Sequence, residues 1–284
     1  MITRLCIIGV GLIGGSLARS LKKQAAVDWV IGASRNQANL DQARELGVID
    51  AYTSNVADAV KNADMVVLAA PLGANRALLE TILPALSSFT VLTDVGSAKV
   101  SVIEDVRTVF GELPGNFVPG HPIAGTEESG VEASFDTLFE TKTVILTPLP
   151  ETNLVAKDKV ASMWSTVGAQ VVEMTPEDHD EVLSATSHLP HMLAYSLVNT
   201  LGAMDKRCEI FKYAAGGFHD FTRIASSDPT MWQDICLANR EHLLRALSDF
   251  RIDLDRLSNA IEAGDRDFLK SVFAQAKNLR DGYI

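Results

Sequence analysis

The chain has 284 residues, 47% hydrophobic and 21% charged, the balance of an ordinary folded protein rather than a disordered or fibrous one. That length suits one large domain or two medium ones. Twenty-five basic against thirty-six acidic residues leave a formal net charge of −11 with no Lys/Arg cluster, so no nucleic acid and no membrane partner is expected, since both require a positive footprint. Cys6, Cys208 and Cys236 are widely spaced and form no CxxC, which argues against a disulfide framework or zinc site and for a reduced, cytoplasmic setting. No apolar run approaches the ~18–20 residues of a membrane span.

In chain order, the apolar stretch Leu5–Leu17 is broken by four glycines. It reads as strand, turn and helix rather than a secretion signal. Short β-branched runs follow at Trp29–Ile31, Met65–Leu68, Thr90–Thr93, Phe117–Val118 and Thr143–Leu146, alternating with helical patterns such as Leu12–Lys23, Gln37–Leu46 and Ala74–Leu86. Apolar strands alternating with helices predict a parallel sheet covered on both faces. A helix over 153–167 and the run Gln170–Met174 are expected to complete that same sheet. From Pro176 onward only helical spacing remains. Asp228-Pro229 is a helix start, Asp capping free N–H groups and Pro at the first position losing no bond. Behind it Trp232, Ile235, Asn239, Leu243, Leu247, Phe250, Leu254, Leu257 and Ile261 recur every three or four residues until Gly264. That stripe predicts one helix of about thirty residues, against ~11–12 for an average helix. Such length suits a helix buried between subunits, so a homodimer through the helical part is expected. The α/β part is assigned to residues 1–174 and the all-α part to 175–284.

The first strand runs into Gly9-Val10-Gly11-Leu12-Ile13-Gly14, a G-x-G-x-x-G placed between strand and helix. Gly9 permits the tight turn, Gly11 lets a pyrophosphate approach the backbone, and Gly14 lets helix pack on strand. The helix N-terminus adds N–H groups and partial positive charge. The residues Gly9, Gly11, Leu12, Ile13 and Gly14 are therefore expected to bind a dinucleotide. The next strand ends in Ser34-Arg35-Asn36 without the carboxylate that commonly accepts from an NAD ribose. Ser34 and Arg35 offer a hydroxyl and a guanidinium suited to a 2′-phosphate. NADP is the expected cofactor, with NAD as the alternative.

Three further segments are rich in chemistry. Gly120-His121-Pro122-Ile123-Ala124-Gly125-Thr126-Glu127 and Asp94-Val95-Gly96-Ser97-Ala98-Lys99 each follow a strand, so both are expected beyond the carboxyl ends where ligands sit. Ser187-His188-Leu189-Pro190-His191 lies in an amphipathic stretch; the two histidines, three apart, share one side of a helix, and Pro190 leaves the Thr186 carbonyl free and kinks it. No third metal ligand accompanies them, so no metal is assigned. Gly216-Gly217-Phe218-His219-Asp220-Phe221-Thr222-Arg223-Ile224-Ala225 closes the series with an Arg able to hold a carboxylate in a two-bond fork, or to pair with Asp220.

Together, GxGxxG, GHPIAGTE, SHLPH and DFTRIA, in that order along essentially the whole chain, resemble the prephenate/arogenate dehydrogenase family of tyrosine biosynthesis. The resemblance implies a Rossmann-type, mostly parallel sheet followed by an all-α dimerisation domain. It implies oxidative decarboxylation of a cyclohexadienyl acid, prephenate or arogenate, with hydride passing to NAD(P)⁺. On the same footing, His121 takes the proton of the ring 4-hydroxyl and Ser97 sits beside that hydroxyl. His191 and Arg223 bind substrate, Arg223 through a carboxylate, with His188 counted in the same set. Thr126, Glu127, Asp220 and Trp232 line the pocket, Trp232 reaching across the dimer. His219 stands where the family motif carries Arg. Two other readings compete: another NADP-dependent two-domain reductase of the β-hydroxyacid dehydrogenase or imine reductase type, and a catalytically silent NADP-sensing protein.

Overall fold

Strand β1 (Ile2–Ile8) sends Leu5 and Ile7 to one face of a sheet and Cys6 and Ile8 to the other, the period-2 alternation of a strand buried on both sides. The structure, a computed structural model, describes residues 1–205 and 207–283. Helix α1 (Leu12–Lys23) follows the glycine turn, then β2 (Val27–Ala33), α2 (Gln37–Glu45), β3 (Ala51–Thr53), α3 (Val56–Ala59), β4 (Met65–Leu68), α4 (Asn75–Ile82), β5 (Val91–Asp94), α5 (Val100–Phe110) and β6 (Phe117–Val118). The six strands pair all-parallel in the order β3-β2-β1-β4-β5-β6, the doubly wound arrangement anticipated.

The end of the sheet differs from expectation. Strands β7 (Gly120–Pro122), β8 (Thr143–Leu146) and β9 (Gln170–Glu173) form a separate three-stranded sheet, β7 antiparallel to β8 and β8 parallel to β9. Pro119, between β6 and β7, has no N–H with which to extend the first ladder, and its carbonyl accepts from Thr147 at 3.0 Å instead. The two short strands β3 and β7, three residues each, lack the apolar β-branched run that marks a strand in advance.

Helix α6 (Leu154–Thr166) precedes β9, and helices then run on without strands: α7 (Pro176–Leu183), α8 (Leu189–Gly202), α9 (Arg207–Lys212), α10 (Gly216–Thr222), α11 (Pro229–Ala238), α12 (Arg240–Ala263) and α13 (Arg266–Tyr283). Asp228 caps α11 by accepting from Met231 N at 2.8 Å. The expected thirty-residue helix is two: the chain leaves helical geometry at Asn239 (φ −112°, ψ 33°). The reason is local, since the Asn239 side chain is buried and donates to the Asp180 carbonyl at 2.7 Å. Before α8, residues Ser184–His188 form a wider π turn, so the bend expected near Pro190 falls one turn earlier, with Pro190 itself in the first turn of α8.

The chain divides into two compact units, Met1–Arg240 and Glu241–Ile284. The change from α/β to all-α sequence at residue 174 is thus not where packing divides. Trp232 and Ile235 of α11 belong to the same apolar layer as Ile8, Leu68, Leu79 and Phe117, and Asp234 accepts from Gly73 N at 2.9 Å. These contacts tie α11 to the parallel sheet. Among the described residues no helix is long and apolar enough to cross a membrane.

Candidate active site

The glycine turn has the geometry its sequence requires. Gly9 sits at φ +100°, and a Cβ there would lie 2.4 Å from the Ala69 carbonyl oxygen; at Gly14 it would lie 2.3 Å from the Gly9 oxygen. Gly11 is different, with nothing within 4 Å of that position. It is the N-cap of α1 and supplies no side-chain cap, so first-turn N–H groups, those of Leu12 and Ile13 included, are left for an external acceptor beside open space. These features fit a pyrophosphate. At the tip of β2, Ser34 Oγ accepts from Asn36 N at 3.2 Å. Arg35 is exposed and makes no ion pair among the described residues.

Beyond the carboxyl end of β5 a buried polar network begins. His121, in β7, is 8% exposed. Its Nδ1 lies 2.8 Å from Nε2 of His179 on α7, and His179 Nδ1 lies 2.7 Å from Asp180 Oδ1. Asp180 also accepts from the backbone N–H groups of Lys99 (2.7 Å) and Val100 (3.0 Å). Burial raises its pKa, but the His179 hydrogen bond and these N–H groups outweigh burial and hold its carboxyl below the usual range. An ionised carboxylate can only accept. His179 must therefore carry its proton on Nδ1 and present a lone pair at Nε2, so His121 Nδ1 donates to it. The neutral His121 ring is left with a bare Nε2. Among the described residues no hydrogen bond reaches that atom. Burial pushes the His121 pKa well below 6.5, reinforced by His179, Lys99 and His188. Burial lowers His179 as well, against the opposing pull of Asp180.

His188, fully buried, lies 3.2 Å from Asn239 Nδ2 through its Nδ1. The same amide nitrogen donates to the Asp180 carbonyl, so His188 Nδ1 accepts and the proton sits on Nε2. That Nε2–H faces the Ser97 backbone without closing a hydrogen bond. Burial drives His188 down to about 4. Ser97 itself is half-buried in the turn between β5 and α5.

His191 does not pair with His188. Its Nδ1 donates back to the Ser187 carbonyl at 2.9 Å, and its ring stacks on Trp232 with centroids 3.7 Å apart. Trp232 is 7% exposed within this chain. The pair does not form a chelate, and among the described residues no group of three or more His, Cys, Asp or Glu is arranged around a metal. Arg223, at the end of α10, pairs with Glu127 at 2.8 Å and not with Asp220. This bridge joins the DFTRIA segment to the GHPIAGTE segment. Thr126 is exposed and accepts from Glu128 N at 3.3 Å; Asp220 is exposed. A surface concavity of ≈ 500 Å³ lined by Met1, Ile2, Asp64, Lys159 and Met163 lies at the amino ends of β1 and β4 and contains none of these groups.

The sequence reading missed His179, Asp180 and Asn239. A signal existed for the first two. They occupy positions 179 and 180 between buried Pro176 and Leu183, so a His-Asp pair sits on the inward stripe of its helix, where polar residues need partners.

The chain thus carries a nucleotide-type glycine turn and a buried imidazole-imidazole-carboxylate chain, with Arg223 bonded to Glu127 of the segment that holds His121. Residues 17–173 match the family described as prephenate dehydrogenase, nucleotide-binding domain, and residues 175–275 match prephenate dehydrogenase, dimerization domain. The chain belongs to the prephenate dehydrogenase family. The cyclohexadienyl dehydrogenase of Zymomonas mobilis is 40% identical over 279 residues, covering 97% of this chain and 94% of that relative. The prephenate dehydrogenase of Bacillus subtilis is 38% identical over 278 residues, covering 96% of this chain and 74% of the relative. In three dimensions the chain matches prephenate dehydrogenase from A. aeolicus, solved with hydroxyphenyl propionate and NAD+, at TM-score 0.92 and 38% identity, over 100% of this chain and 99% of that one. It matches Synechocystis arogenate dehydrogenase at TM-score 0.81 and 28% identity, over 99% and 100%.

Proposed function

We propose that this family member oxidatively decarboxylates prephenate to 4-hydroxyphenylpyruvate in tyrosine biosynthesis, with arogenate, giving tyrosine, as the alternative substrate and NADP⁺ preferred over NAD⁺. The observation that carries the reading is the bare Nε2 of His121, fixed by the imidazole-imidazole-carboxylate chain behind it. A bound nicotinamide dinucleotide supplies the hydride acceptor. His121 Nε2 takes the proton of the ring 4-hydroxyl as C4 gives up its hydride, so the electron pair left on oxygen helps expel it. Loss of CO₂ from C1 aromatises the ring and leaves a phenolate, which recovers the proton from His121. His179 and Asp180 hold His121 in the tautomer that can accept. Ser97 stands beside the hydroxyl, and Arg223, with Glu127 as its resting partner, receives a substrate carboxylate. His191 and Trp232 form one wall of the site.

The cofactor turn uses Gly9, Gly11, Leu12, Ile13 and Gly14 for the pyrophosphate. Ser34 and the unpaired Arg35 favour a 2′-phosphate. The α/β part over residues 1–174 carries the cofactor, and the helical part over 175–284 carries the substrate wall and a homodimer contact. A cytoplasmic setting keeps the three free cysteines reduced. The deciding experiment is turnover with prephenate and arogenate, each with NADP⁺ and NAD⁺. The expected result is prephenate-dependent reduction of NADP⁺ at a higher kcat/KM than with NAD⁺. Cofactor binding without turnover of either acid overturns the reading.

A further inference from the structure

Lys99 is fully buried and lies outside every role assigned above. Its Nζ is paired with the Asp94 carboxylate and donates to the Gly120 carbonyl at 2.6 Å. The other Asp94 oxygen, Oδ1, accepts from Gly120 N at 3.2 Å. Both backbone polar groups of Gly120, the residue before His121, are therefore gripped by one buried ion pair. Lys99 also acts at the opposite end of the relay. Its backbone N–H donates to Asp180 Oδ1, the same oxygen that accepts from His179. A Cβ at Gly120 would come within 3.2 Å of the Asp94 carbonyl oxygen, so this crossing point is tight.

We propose that Lys99 is a positioning residue that clamps both ends of the His121–His179–Asp180 chain, its ammonium fixing the His121 end and its backbone the Asp180 end. The proposal rests on the reading of His121 as the base. The ammonium has a second effect through charge. The titratable groups acting on the His121 ring are His179 from α7, Lys99 before α5 and His188 from the π turn, while Asp180 of α7 and Asp94 at the end of β5 act on His179 behind it. Burial lowers the Lys99 pKa, and Asp94 and Asp180 oppose that. A cation beside the two imidazoles disfavours their protonation and keeps Nε2 available.

The test removes the clamp without stranding a charge. Lys99→Met combined with Asp94→Asn replaces the buried pair by neutral groups of similar size, a change such sites tolerate better than loss of one partner. In the cofactor-free protein, ring ¹⁵N NMR should show the His121 titration moved upward from that of wild type. In the loaded enzyme kcat at pH 6 should fall about tenfold or more, with KM and cofactor affinity within about twofold. Lys99→Arg keeps the charge but not the fit at Gly120, so it should retain the wild-type midpoint while losing kcat. A folded double variant whose titration and kcat match wild type overturns the proposal. If the double variant does not fold, Lys99→Arg decides: a kcat lowered about tenfold at unchanged KM supports the clamp, and a kcat equal to wild type overturns it. A wild type that titrates as described but turns over no cyclohexadienyl acid removes the activity reading and leaves the clamp standing.

Discussion

Asp180 makes the chemistry of the site determinate. One ionised oxygen fixes the proton on His179, and that fixes the proton on His121, so a tautomer follows from donor and acceptor counting alone. The same burial has a consequence for stability. His121, His179 and His188 all have folded-state pKa values below the ~6.5 of an unfolded chain. Below pH ~6.5 the unfolded state binds protons that the folded state refuses, so stability falls as pH drops, by about 1.4 kcal/mol per pH unit for each such histidine. For His188 that loss runs down to its folded value of about 4. Thermal unfolding should therefore show Tm decreasing steadily from pH 7 to pH 5; a flat Tm over that interval contradicts neutral buried imidazoles. At this scale the glycine turn was legible, because a motif between a strand and a helix has a known direction. His179 and Asp180 were not, because in an acidic first turn (Glu177, Asp178) a further His and Asp look like solvated polar residues. Only the inward stripe separates them.

Elements were read where the apolar pattern was present and lost where it was absent. Leu12–Lys23 is helix α1 with both bounds as expected, since twelve residues carry a clear stripe. Strands β3 and β7 escaped because Ala-Tyr-Thr and Gly-His-Pro lack the apolar β-branched run that marks even the shorter β6. The break between α11 and α12 was hidden for another reason: Asn239 occupies a stripe position, and periodicity cannot tell a buried amide that bends the chain from one that merely packs. Its bonds define its cost. Asn239→Ala removes the donor to the Asp180 carbonyl and to His188 Nδ1, a loss of about 1–2 kcal/mol. The urea unfolding midpoint should fall accordingly, and an unchanged midpoint would mean that the α11–α12 break is held by something else.

At the scale of the whole molecule, the unit Glu241–Ile284 leaves Ile252, Leu254, Ile261, Phe273 and Leu279 exposed. Exposed apolar residues on two long helices are costly in water, and the family region 175–275 is described as a dimerization domain. The homodimer proposed above would cover these apolar residues. Sedimentation should give twice the 30.6 kDa of the chain, and Phe273→Asp together with Ile261→Lys should shift the population to monomer; a wild type that sediments as monomer at micromolar concentration contradicts the dimer. The packing boundary at Arg240 was not legible in the sequence. It depends on α11 docking Trp232 and Ile235 onto the parallel sheet, a long-range contact that no local pattern encodes.

The most direct test compares His121→Asn with wild type in prephenate-dependent NADP⁺ reduction, with cofactor affinity measured alongside. A base at position 121 predicts a kcat lower by about 10²–10⁴-fold at unchanged cofactor Kd. A variant that keeps near-wild-type kcat would contradict the account at its centre.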